Sequence, residues 1–106
     1  MKDSLFDWDS ANIGHIAEHD VTPEEAEEAL LCDPLETDYD EEEGDEQRWS
    51  YLGETSQNRI LRILITLRGE KIRVVTAFDP PRHQRLLYLR QRAGQNERSE
   101  VSKIRI

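Results

Sequence analysis

Arg59-Ile60-Leu61-Arg62-Ile63-Leu64-Ile65-Thr66-Leu67-Arg68, then Gly69-Glu70, then Lys71-Ile72-Arg73-Val74-Val75-Thr76-Ala77-Phe78 is the stretch that decides the fold. Both runs alternate with the period of a strand. In the first, Leu61, Ile63, Ile65 and Leu67 share one face, and Ile60, Arg62, Leu64, Thr66 and Arg68 share the other. In the second, Ile72, Val74, Thr76 and Phe78 lie opposite Arg73, Val75 and Ala77. A two-residue connection containing Gly69 closes an antiparallel hairpin. Apolar residues on parts of both faces predict that both strands are central and covered.

Upstream, Arg48 to Thr55 also alternates, with Trp49 and Tyr51 on one face, and Ser56-Gln57-Asn58 supplies a turn. The sheet is therefore an antiparallel meander of three to four strands; Thr37 and Tyr39 allow one more short strand. Asp40 to Glu46 holds six acids and one glycine and reads as an exposed loop. Further upstream, Thr22, Pro23 and Glu25 spell a capping box with proline at the first helical position, and Val21 can staple against Ala26. Ala26, Ala29, Leu30 and Cys32 form the expected buried stripe, and Asp33-Pro34 ends the helix. Ala11 to His19 reads as a shorter helix capped by Asp9 or Ser10, preceded by Phe6 and Trp8 on one side of an anchoring segment. Downstream, Asp79-Pro80-Pro81 opens a basic helix over Arg82 to Arg92. Its expected inward residues are Leu86, Leu89 and Leu87, and Ala93-Gly94 is its expected end. The class is α+β: two N-terminal helices, a meander sheet and a C-terminal helix. Residues 1–94 form one domain in this reading, and 95–106 a polar tail whose last residues, Lys103 to Ile106, form an edge strand or hang free.

The chain has 106 residues and a formal charge of −9, and that total hides a split. Residues 1–47 carry 18 acids against one lysine, whereas residues 48–106 carry 13 basic residues against five acids. The total argues against nucleic acid, but the split allows a locally basic surface and attraction between the halves. No run approaches the roughly 18 apolar residues of a membrane span, and Met1 to Asp7 lacks the apolar run of a signal peptide. Cys32 is the only cysteine, which excludes an internal disulfide and any multi-cysteine metal site; a reducing cytoplasm is the default.

Two groups of residues can carry chemistry. His15 and His19, four apart, share a helix face, where they can serve as proton-transfer groups, as metal ligands, or as cap and packing residues. Arg48, Arg59, Arg62, Arg68 and Arg73 fall on neighbouring strands, and Arg62 and Arg73 sit in otherwise apolar runs. A guanidinium so placed needs a carboxylate or a bound phosphate, and its fork matches phosphate oxygens. Carboxylate partners would come from Glu54, Glu70 or the acidic first half.

Taken in order, Phe6-x-Trp8-Asp9, Asn12-x-x-His15, His19-x-Val21, Glu24-Glu25-Ala26, Asp33-Pro34, Glu46-x-Arg48, Leu52-Gly53 and Arg73-Val74-Val75-Thr76-Ala77 resemble the BrnT toxin family, with Arg85 and Tyr88 matching its closing helix. The resemblance covers about residues 5–90. It implies a RelE-like fold and a small ribonuclease toxin needing no metal or other cofactor. It also implies an antitoxin of the BrnA type that neutralises the toxin and carries the DNA-binding part. Attack by the neighbouring 2′-hydroxyl is the implied chemistry, with catalytic candidates His15, His19, Arg48, Arg73 and Tyr88 and RNA-binding candidates Arg59, Arg62, Arg82 and Arg85. RNA and the antitoxin are the implied partners, no membrane is, and a homodimer or a toxin–antitoxin heterotetramer is allowed. The sequence departs from the family pattern in three ways: Phe78 stands where a basic residue is usual, the usual lysine beside the Trp-Asp motif is missing where Ser10 and Ala11 stand, and Gln84 stands where a glutamate is often found. These departures fit a weakened or inactive relative that binds a partner through the same fold.

Overall fold

The computed structural model describes residues 5–37 and 46–104, with side chains as far as residue 94. Its elements are α1 (Ser10–Ala17), α2 (Pro23–Leu31), β1 (Leu35–Thr37), β2 (Trp49–Glu54), β3 (Ile60–Arg68), β4 (Lys71–Phe78) and α3 (Arg82–Ile104). The four strands form one antiparallel sheet in the order β1-β2-β3-β4. The α+β class, the meander and the three helices are as expected. Residues 40–45 of the expected acidic loop lie outside the described residues, as do Tyr39 and the last two residues, while Glu46 at its end is described and half-buried.

Each helix start follows from its capping chemistry. Asp9 caps α1, its Oδ1 accepting from the amides of Ala11 and Asn12, while Asn12 Oδ1 accepts from the Asp9 amide at 2.8 Å. Thr22 and Glu25 close the second box around Pro23. Between the helices Asp20 takes φ 60°, a left-handed conformation that aspartate tolerates, and turns the chain back. Gly69 takes φ 63° in the β3–β4 hairpin, where Arg68 pairs with Lys71.

The core lies between α1, α2 and one face of the sheet. Phe6, Ile16, Val21, Ala26 and Ala29 pack there on Leu61, Ile63, Ile65, Val74 and Ala77. Small residues let α2 approach β2 until backbones nearly touch. A Cβ on Gly53 would lie 2.3 Å from the Ala29 carbonyl oxygen. On the other face Tyr88 of α3 is buried, as are Leu52 and Leu64 on the strands.

Several expectations need correction. The buried face of β4 is Ile72, Val74 and Ala77, because the register shifts between Leu64, paired with Thr76, and Ile65, paired with Val74. Val75 is the extra residue of a bulge, which breaks strict alternation. β4 is an edge strand rather than a central one. Its outer edge is tied by a parallel bridge from Phe6 to Ile72, with Asp7 N to Ile72 O at 2.8 Å and Ile72 N to Leu5 O at 2.9 Å. Asn12 extends this seal: its Nδ2 donates to the carbonyls of Asp7 and Val74. Cys32 is exposed rather than part of the buried stripe. α3 continues through Ala93-Gly94 to Ile104, so Lys103 and Ile104 are helical. Tyr88 is its buried residue at 2% exposure, while Leu86, Leu87 and Leu89 are 39–46% exposed, the reverse of the expected packing. Among the described residues no helix is long and apolar enough to cross a membrane.

Candidate functional site

The outward seal of β4 creates a cleft. Asn12 and His15 of α1 form one wall, and Arg48, Arg68, Arg73 and Glu46 form the other, around a volume of about 220 Å³. Three arginines therefore line one cleft although they come from just before β2, the end of β3 and the start of β4. The hairpin explains two of them, since Arg68 and Arg73 flank its turn.

Every one of these arginines is also held by acid. Arg73 Nη1 reaches Asp7 Oδ2 at 3.3 Å and Asp9 Oδ2 at 3.1 Å, and Nη2 reaches Asp9 Oδ1 at 3.2 Å. Arg68 binds Glu46 Oε2 at 3.1 Å, and Arg48 lies 3.5 Å from Glu46 Oε1. The hydrogen bond from Arg73 holds the Asp9 carboxyl below its usual range, and that from Arg68 does the same for Glu46. Reciprocally, the bond to Asp9 raises Arg73 further above the ordinary guanidinium value.

These shifts give stability a pH dependence of definite sign. A carboxylate whose folded pKa is depressed contributes stability above its unfolded value and loses it as pH falls through that value toward the folded one. The thermal midpoint is expected to stay level from pH 7 to about 5 and to fall below that. Asp9→Asn keeps the helix cap and is expected to flatten the fall. Both carboxylates face solvent, so the difference is small. Thermal melts of the two proteins across pH 3–7 check it.

His15 Nε2 lies 3.1 Å from Thr76 Oγ1, and its ring meets that of His19 edge-on, centroids 5.6 Å apart. His19 in turn lies 5.8 Å from Phe78. Both histidines are exposed. Among the described residues no group of three or more His, Cys, Asp or Glu gathers as metal ligands would.

The remaining candidates are elsewhere. Arg59 is committed to the fold: it binds Asp79 at 3.0 Å, Glu25 at 3.1 Å and the Asp20 carbonyl at 2.7 Å. The bond to Asp79 is the main cause of its raised pKa. Arg62 approaches Ser50 Oγ at 3.3 Å and sits 5.8 Å from the Phe78 ring centre. Arg82 and Arg85 are exposed on α3; Arg85 lines a separate hollow with Glu54, Arg59 and Asp79. Tyr88 is not among the residues lining the cleft. Its hydroxyl reaches Glu54 Oε1 at 3.3 Å, and Arg92, itself paired with Asp33 at 3.0 Å, covers its ring. Sequence reasoning placed Arg68 among the strand arginines but not in the site; its place beside the Gly69 turn was the available signal. It missed the structural role of Asn12 altogether.

The Asn12/His15 wall and the Arg48–Arg73 wall both fall inside the span that one family description recognises. Residues 8–82 match the family described as "Ribonuclease toxin, BrnT, of type II toxin-antitoxin system". That span stops at the first residue of α3, so Arg85 and Tyr88 lie beyond it. No curated protein and no solved structure matches the chain. With most of its length matched, and with the α+β topology of that family, the chain belongs to the BrnT toxin family.

Proposed function

We propose that this chain is the ribonuclease of a type II toxin–antitoxin pair, cutting RNA in the cleft between α1 and the hairpin. The observation that carries the reading is the meeting of Arg48, Arg68 and Arg73 with His15 in one cleft. In this reading Arg73 and Arg48 hold the scissile phosphate, joined by Arg68, and stabilise the charge that builds on its oxygens. His15 takes the proton from the 2′-hydroxyl, whose oxygen bonds to phosphorus as the bond to the 5′-oxygen breaks. Water returns a proton to that leaving oxygen. The products are a 2′,3′-cyclic phosphate and a 5′-hydroxyl, and no metal enters. Arg82 and Arg85 on exposed α3 contact RNA backbone outside the cleft, while Arg59, Arg62 and Tyr88 serve the fold. A BrnA-type antitoxin is the partner that restrains the chain.

A second reading, a weakened or inactive partner-binding protein, is favoured by one observation. Asp7, Asp9 and Glu46 already engage the three guanidiniums, so a phosphate must displace carboxylates to bind. Induced expression of the chain alone in a bacterial host, with total RNA and growth followed together, separates the two. Rapid RNA loss, reproduced by the purified protein in EDTA, is the expected result. Intact RNA with abundant soluble protein, and a tight complex with the product of a neighbouring reading frame, would establish the second reading.

A further inference from the structure

The cleft accounts for His15 but not for what lies past it. A wide hollow of about 510 Å³ is lined by His19, Asp20, Phe78 and Asp79, directly beyond the His15–His19 contact. Its floor is aromatic: the His19 and Phe78 rings stand 5.8 Å apart at 57°, both reachable from solvent. Its rim is acidic. Asp79 is engaged by Arg59, whereas the Asp20 carboxylate makes no side-chain hydrogen bond among the described residues. We propose that this hollow is a nucleobase subsite, in which Phe78 stacks a base of single-stranded RNA, the tilted His19 ring closes its edge and the Asp20 carboxylate selects guanine.

The inference rests on the ribonuclease reading for its polymer and on geometry for its place. The anion cleft and the aromatic hollow lie on either side of the His15–His19 contact, and in this reading one nucleotide lies across it, with its phosphate toward the arginines and its base on Phe78. The 2′-hydroxyl that His15 activates and the stacked base then belong to the same nucleotide. Aromatic rings bind bases through their faces whatever the base identity. A carboxylate only accepts hydrogen bonds, and guanine alone among the four bases offers two adjacent donors, N1–H and N2–H, to one such group.

The test uses the full chain, calorimetric titration and defined probes: inorganic phosphate, the four nucleoside 3′-monophosphates, and oligouridylate with or without one central guanosine. Guanosine 3′-monophosphate is expected to bind tightest, and the guanosine-containing oligomer to bind tighter than plain oligouridylate. Phe78→Leu and His19→Ala are each expected to weaken guanosine 3′-monophosphate by at least about fivefold while leaving inorganic phosphate unchanged. His19 is on the surface, so its variant probes the platform without disturbing the sheet. Phe78→Tyr is expected to retain binding. Asp20→Asn, which tolerates the same left-handed backbone, is expected to erase most of the preference for guanine over adenine, about tenfold.

Equal affinity for inorganic phosphate and all four nucleotides, or silence of both platform variants, overturns the subsite. Binding of the mononucleotide without any gain for the guanosine-containing oligomer overturns its assignment to RNA. If the subsite fails while Arg73-dependent RNA cleavage persists, the ribonuclease reading stands alone. If base-dependent binding appears in a chain that leaves RNA intact, the subsite stands and the activity falls.

Discussion

Arg73→Ala is expected to lower RNA cleavage by about a hundredfold or more, the usual consequence of removing one preorganised donor from a site of developing oxyanion charge. The size follows from position. The Arg73 side chain is 15% exposed and two carboxylates fix its fork. The substitution also leaves Asp7 and Asp9 without the Arg73 cation that engages them, so the field beside the cleft becomes less favourable for phosphate. Arg73→Lys keeps the charge but not the two parallel donors, and is expected to fall between wild type and Arg73→Ala. Single-turnover cleavage of a labelled RNA, with thermal melts on the same samples, checks both. Because Asp7 and Asp9 are 35% and 53% exposed, their loss of a partner has little effect on the melting temperature. Full activity in folded Arg73→Ala protein would move the chemistry out of this cleft.

Gly53→Ala is expected to be the most destabilising alanine substitution at a described glycine. The added Cβ would meet the Ala29 carbonyl oxygen at 2.3 Å and its carbon at 2.9 Å. Those are backbone atoms of α2, so no side-chain rotation relieves the contact. α2 must lift off β2, carrying Ala26 and Ala29 away from Leu61 and Ile63. The cost belongs at the upper end of overpacking penalties, about 3 kcal/mol, which lowers the melting temperature of a chain this size by about 12–20 °C. Ala29→Gly in the same protein removes only the methyl at 3.1 Å and is expected not to rescue it. Restored stability in the double variant would mean that the side chain, not the helix backbone, sets the approach.

What was legible in the sequence was what short-range chemistry decides. Thr22-Pro23-x-Glu25 could only be a helix start, and Gly69-Glu70 between two β-branched runs could only be a tight turn. Charge asymmetry also read correctly: Arg59, Arg68, Arg73 and Arg92 of the basic half pair with Glu25, Glu46, Asp7, Asp9 and Asp33 of the acidic half. The bulge was hidden because Val74, Val75 and Thr76 are all β-branched, so either alternation suits them equally. α3 was misread because its leucines satisfy a helical period, whereas burial was decided by the Tyr88 contact with Glu54 and Arg92. The site was half legible. His15, Arg48 and Arg73 could be named, but that Asp7 and Asp9 would engage Arg73 depends on contacts spanning 66 and 64 residues, which no local pattern carries.

The same long span bears on synthesis. The Phe6–Ile72 bridge joins segments far apart in the chain, and the two walls of the cleft are separated in the same way. A ribosome making this chain releases the α1 wall well before the Arg73 wall, at about 5–20 residues per second. Until β4 has emerged there is no edge for Phe6 to join and no Arg73 for Asp9 to meet. The nascent chain therefore carries no assembled cleft near the ribosome that is making it, and a message truncated before Ile72 encodes none at all.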